Sequence, residues 1–208
     1  MAPDGPGRIF LLSPADCSGE RARQVMSPHA RFPLAMRLRD GGAPLGEVMS
    51  FMSALYFRGK LTYARAFANP PAGICGAFVI TPGEGLRDPA ERVTLERLRR
   101  FADVPIKPHE QRFLGPLLRD AQALATLAGD RCRIVLLGSV ASARYVEPLL
   151  GVLGERLLFP PTFVGRGDMS RGGLLLRCVA ENRELDYAPV AGAVRHGPRP
   201  PRLPRRPR

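Results

Sequence analysis

The hydrophobic positions of this chain fall into two kinds of stretch. The first is the short, uninterrupted apolar run: Ile9-Phe10-Leu11-Leu12 within Arg8–Ser13, Ile74 to Ile80 before Thr81, Ile134-Val135-Leu136-Leu137 within Cys132–Gly138, and Leu157–Phe159. None alternates with polar residues, so each predicts a strand buried on both faces, as in a parallel sheet. The second kind carries apolar residues at helical spacing. Leu45, Val48, Met49, Met52, Leu55 and Tyr56 predict a helix over Pro44–Tyr56, followed by another over Gly59–Ala68. Phe113, Leu117, Ala121, Leu124 and Ala128 do the same for Pro108–Ala128, closed by Gly129, and Val146, Leu149, Leu150 and Leu153 for Ser142–Leu153. A charged helix is expected over Ala90–Ala102, with Glu96 and Arg100 one turn apart on its wet side. Glu20–Arg39 has helical character interrupted by Pro28 and Pro33. A last helix leaves a glycine-rich loop, Gly165–Gly173, and ends near Asn182.

Strands separated by helices predict an α/β fold with a mostly parallel central sheet of about four strands flanked by helices. Residues 1–193 form one domain in this reading. Residues 194–208 carry little apolar content and many prolines, which predicts a disordered Arg/Pro-rich tail. In open parallel sheets ligands bind outside the carboxyl ends of the strands. That rule nominates four loops: Pro14–Gly19, Pro82–Asp88, Ser139–Arg144 and Pro160–Gly173.

Those loops hold the residues suited to chemistry. Asp16 and Glu84 are the candidate catalytic carboxylates, each on a loop leaving a strand, where a general base would meet its substrate. Cys17 and Ser18 lie beside Asp16 ahead of a helix, a position that can favour a thiolate. Gly165, Arg166, Gly167, Asp168, Ser170 and Arg171 form a loop in which glycines admit close backbone approach. There Asp168 or Ser170 caps a helix start, and the arginines grip an anion. Ser139 leaves the third strand. Lys60 sits at the junction of two helices in a chain with only one other lysine, Lys107. Asp16 and the 166–171 loop are expected to share one cleft.

Composition changes this picture in three ways. The formal net charge is +12, but six arginines fall in residues 195–208, leaving +6 for the rest. Arginine supplies 29 of the 31 basic residues, and 22 Gly and 22 Pro accompany it, a pattern of GC-rich coding, so charge alone does not establish nucleic-acid binding. The four cysteines, Cys17, Cys75, Cys132 and Cys178, form no CxxC pair and no zinc pattern with the three histidines. Reduced thiols are expected, with Cys75, Cys132 and Cys178 in or beside apolar elements and Cys17 in a polar loop. No run approaches the roughly 20 apolar residues of a membrane span, and no signal-peptide pattern opens the chain. A soluble, cytoplasmic protein with no membrane partner is the expectation. Walker and dinucleotide fingerprints are missing, so no cofactor is expected. Oligomeric state is not legible.

Three segments carry a resemblance: Leu12–Arg23 with Ser13-Pro14-Ala15, Phe78–Pro89 with Val79-Ile80-Thr81-Pro82-Gly83-Glu84-Gly85-Leu86-Arg87-Asp88-Pro89, and Ile134–Leu150 with Gly138-Ser139 and Tyr145-Val146-Glu147-Pro148. Over about residues 8–180 the chain resembles the peroxide-stress YaaA-like proteins and the uracil-DNA-glycosylase-like domain of archaeosine synthases. The resemblance implies a uracil-DNA-glycosylase-like fold and a nucleic acid or nucleotide partner. It also implies action at the glycosidic bond of a nucleobase or nucleoside, with Asp16 or Glu84 activating the attacking group. The alternatives are a non-catalytic nucleic-acid-binding protein and an enzyme or sensor for a small phosphorylated metabolite. The chain lacks the Gly-Gln-Asp-Pro-Tyr-His and His-Pro-Ser motifs of true uracil-DNA glycosylases.

Overall fold

The computed structural model describes residues 6–201 and residue 203. Its centre is a six-stranded sheet. Four strands run parallel: β1 (Arg8–Leu12), β3 (Ala77–Thr81), β6 (Arg133–Leu137) and β7 (Leu157–Phe159). Two short antiparallel strands, β4 (Gly85–Arg87) and β8 (Ala188–Pro189), extend the edges, giving the order β4-β3-β1-β6-β7-β8. A separate two-stranded sheet pairs β2 (Ala43–Pro44) with β5 (Arg92–Val93). The expected α/β class and mostly parallel sheet are present; the strand number exceeds the expected four. The extra strands are two or three residues long, too short to carry a periodicity of their own, and exist only where a longer neighbour offers hydrogen bonds.

The apolar runs explain the strands directly. Ile9 lies opposite Ile134 and Phe10 opposite both Val135 and Ala77. Phe10, Leu12, Val79, Val135 and Leu137 face one core, shared with α1 (Glu20–Met26), α2 (Pro33–Asp40), α3 (Leu45–Ser53), α4 (Leu55–Phe67), α5 (Leu95–Ala102) and α8 (Asp168–Ala180). Ile9, Leu11, Ile80, Ile134 and Leu136 face the other core, shared with α6 (Gln111–Ala128) and α7 (Ala143–Leu153). Both faces being covered removes any reason for polar alternation along these strands.

Several boundaries differ from expectation. Strand β3 starts at Ala77, because Ile74 to Gly76 are bend and loop residues that follow the turn closed by the Ile74 N–H on the Pro71 carbonyl. Helix α5 starts at Leu95 behind the Thr94 cap, since Arg92–Val93 pair with β2 instead. The junction between α3 and α4 is Ala54, which holds a left-handed φ of 48°, so Lys60 lies inside α4 and not at a helix junction. Residues 168–173 are helical, so the glycine-rich loop ends at Gly167. Neither Asp168 nor Ser170 caps α8: Gly167 occupies the cap position, with no side-chain bond.

The expected disordered tail is in part laid against the domain. Arg195 pairs with Glu147 at 2.6 Å, Arg166 reaches the Pro201 carbonyl, and Leu203 packs on the first core. A Cβ at Gly165, whose φ is 71°, would lie 2.1 Å from the Pro198 carbonyl oxygen. Backbone contact at a glycine holds this segment where apolar burial alone would not. Residue 202 and residues 204–208 lie outside the described residues.

Candidate functional site

Among the parallel strands the chain goes from β1 to β3 on one side, then crosses back to β6 on the other. The carboxyl ends of β1 and β6 therefore diverge into loops that leave in opposite directions, and a crevice opens between them. It is lined by residues 13–18 after β1, by Ser139, Ser142, Arg144 and Tyr145 after β6, by Pro82 after β3, and by residues 101–108. Its volume is about 830 Å³. A second pocket of about 390 Å³ adjoins it, sharing Ser13 to Asp16, Ser139 and Tyr145 and adding Met52, Ser53, Tyr56 and Asp168.

Ser13, the residue just past β1, is the floor of both. Its backbone N–H stays in the sheet, donating to Leu137. Lys60 Nζ lies 2.5 Å from the Ser13 carbonyl oxygen and 2.8 Å from Ser13 Oγ. The amine is wholly buried, capped by the ring faces of Tyr56 and Phe57 at 4.4 and 4.9 Å, and makes no ion pair among the described residues. Burial pushes its pKa down to about 7, with Asp168 opposing the shift and Arg171 adding to it. Tyr145 approaches Ser13 from α7. A Cβ at Gly138 would sit 3.1 Å from Ser13 Oγ and 3.2 Å from Tyr145 Oη, so only glycine leaves room for the two hydroxyls to meet. Burial raises the Tyr145 pKa, and the hydrogen bond with Ser13 lowers it in part.

Lys60 reaches this position because α4 and α8 cross backbone to backbone. A Cβ at Gly59 would lie 2.8 Å from the Gly172 carbonyl oxygen, and one at Gly172 2.7 Å from that of Leu55. The same crossing buries Arg171, whose guanidinium donates to the Phe163 carbonyl at 3.1–3.2 Å and pairs with Asp168 at 3.4 Å. Tyr56 Oη is buried beside Arg171 and has no hydrogen-bond partner meeting ordinary geometry among the described residues.

The other expected site residues divide. Asp16, Ser18 and Ser139 line the large crevice, and Asp16 meets Asp168 in the smaller pocket. Asp16 accepts from the Ser18 hydroxyl at 2.8 Å and the Ser18 N–H at 2.9 Å, which holds its carboxyl below the usual range. It is a fixed anion more than a base. Cys17 lies in the expected loop and lines the crevice, but its side chain is buried. Burial pushes its thiol up to about 12, so thiolate chemistry does not follow. Glu84 lines neither pocket. It is held in the β3–β4 turn by Arg97, with Arg87 at 3.6 Å, because α5 packs alongside. Arg166 turns away from the crevice to the Thr162 carbonyl, the Ser170 hydroxyl and Pro201, and Gly165 and Gly167 shape that turn.

Ser13, Tyr56, Tyr145, Lys107 and Arg144 were not among the expected site residues, although Arg144 ends a nominated loop. For Ser13 the signal was the abrupt Leu12-to-Ser13 change at the end of an apolar run. All four cysteines are free, and no cluster of metal-ligating side chains occurs among the described residues. No described helix is long and apolar enough to cross a membrane. Comparison of the chain with family models, with curated proteins and with solved structures finds no match.

Proposed function

We propose that the crevice between β1 and β6 binds a nucleotide-like ligand, a phosphate or other anion attached to a flat apolar body. The observation that carries this is the lining. Lys107 and Arg144 are exposed at the crevice and form no ion pair among the described residues, while Pro82, Val104 and Ile106 supply an apolar wall and Ser18, Ser139 and Ser142 supply hydroxyls. The volume suits a drug-sized ligand. Elsewhere several arginines are committed within the fold: Arg8, Arg39, Arg92 and Arg156 donate to backbone carbonyls, and Arg97 and Arg119 pair with carboxylates. Others, among them Arg58, Arg65, Arg99, Arg131 and Arg133, are exposed, so the case for a local anion site rests on the crevice lining and not on the overall charge. Glycosidic cleavage has less support than binding, because of its two carboxylates only Asp16 lines the crevice.

Calorimetric titration with the four ribonucleoside monophosphates tests this reading. Saturable binding is expected, weakened roughly tenfold or more by Arg144→Ala, the effect of losing one charge-assisted hydrogen bond. Heats indistinguishable from dilution up to ~1 mM ligand, a limit near 4 kcal/mol of binding free energy, would overturn it.

A further inference from the structure

A lysine buried against a serine demands an explanation that anion binding does not provide. A methionine or leucine would fill the same volume without desolvating an amine. Lys60 instead makes both of its hydrogen bonds to one residue, Ser13, at the carbonyl and at Oγ. In its neutral form an amine offers two N–H groups and one lone pair. One N–H satisfies the Ser13 carbonyl, and the lone pair is then free to face the Ser13 hydroxyl at 2.8 Å. Tyr145 Oη borders the same space beside Gly138, interacts with Ser13 and donates to the Ser139 carbonyl at 3.5 Å. Ser13 lines both pockets, whereas Lys60 lines neither. Ser13, 6% exposed, borders the cavities, and Lys60, 1% exposed, lies behind it. A nucleophile bordering a cavity, a base behind it and a third group beside them is the arrangement that activates a hydroxyl.

We propose that Ser13 is a nucleophile for acyl transfer, with Lys60 as its general base, acting on an ester or thioester that enters through the crevice. The Ser13 Oγ–carbonyl carbon bond forms as the hydroxyl proton passes to Lys60 Nζ. Collapse of the tetrahedral adduct breaks the bond to the leaving alcohol or thiol, which takes the proton from the Lys60 ammonium. Water then attacks the acyl-serine, giving a proton to Lys60. Release of the carboxylic acid returns that proton to Ser13, and nothing is oxidised or reduced. The groups facing Lys60 are Asp168 and Arg171 from α8, Tyr56 from its own helix, Tyr145 from α7 and Ser13 itself. The burial that lowers the lysine to about 7 leaves a large neutral fraction at physiological pH. Tyr145 is a positioning residue. The proposal goes beyond the ligand reading and does not rest on the ligand being a nucleotide.

Diisopropyl fluorophosphate, which phosphorylates activated serines without further recognition, is the probe. Intact mass and peptide mapping of the full chain should show one adduct, on Ser13, forming faster as pH rises from 6 to 8. Lys60→Met should slow it by about 100-fold or more, the usual contribution of a general base. Nucleotide titration of the wild-type protein separates the two readings: a Ser13 adduct without nucleotide heat upholds this proposal and removes the binding reading, and nucleotide heat without an adduct does the reverse. An adduct on another residue, no adduct in folded protein at pH 8, or an equal rate in Lys60→Met would overturn the proposal. Should Lys60→Met fail to fold, the wild-type profile decides: a rate independent of pH between 6 and 9 refutes the lysine as base.

Discussion

Replacing Lys60 by methionine tests the energetics of its burial as well as its chemistry. The unfolded amine keeps the ordinary lysine value of 10.5, and loss of water around the wholly buried nitrogen lowers the folded one to about 7. Below pH 7 both states are protonated and the folded state bears the full penalty of a buried ammonium. Between 7 and 10.5 the unfolded state holds a proton that the folded state lacks, so stability rises with pH in this window. Above 10.5 both are neutral and the dependence ends. At 1.36 kcal/mol per pH unit the whole window corresponds to about 5 kcal/mol, of which roughly 2.5 kcal/mol develops between pH 6 and pH 9. Urea unfolding followed by circular dichroism at several pH values measures it; the chain contains no tryptophan for fluorescence. Subtracting the Lys60→Met curve removes titrations common to both proteins. The wild type should gain on the variant by roughly 2.5 kcal/mol from pH 6 to pH 9. A flat or falling difference would refute the depressed lysine.

Two further outcomes follow from the packing. Gly172→Ala places a methyl group 2.7 Å from the Leu55 carbonyl oxygen, between two helix backbones that cannot yield separately; it should lose about 1–3 kcal/mol and lower the Tm by several degrees in calorimetry. Cys17, buried and with its thiol pushed up to about 12, should react with iodoacetamide at pH 8 no faster than the protein opens, so labelling quicker than hydrogen exchange of β1 would contradict its placement.

The long elements were legible because their own residues pay out a period. Ile9–Leu12 and Ile134–Leu137 are apolar throughout, and the stripe from Phe113 to Ala128 closes at Gly129 as expected. Strands β2, β4, β5 and β8 had no such signature: Leu86 joins the sheet edge with its N–H on Asp120, a residue 34 positions away on α6. The nominated loops show the same division. Pro14–Gly19 and Ser139–Arg144 contribute to the crevice, and Pro82 joins them. Glu84, on the same loop as Pro82, is drawn off by Arg97, whose approach depends on where α5 packs.

What the sequence by itself determined is the local alphabet: which runs become buried strands, which segments coil, and that the ends of those strands carry polar loops. These follow from periodicity and from the conformational limits of proline and glycine, which act over a few residues. Only the tertiary structure decided that Lys60 belongs to Ser13. The two are 47 positions apart, joined by no pattern, and brought together by α4 lying on β1 while Gly59 and Gly172 let α8 press it inward. The pKa of that amine is likewise a property of the assembled core, because the water it loses is displaced by side chains from Tyr56, Phe57 and α8, and no local sequence encodes that displacement.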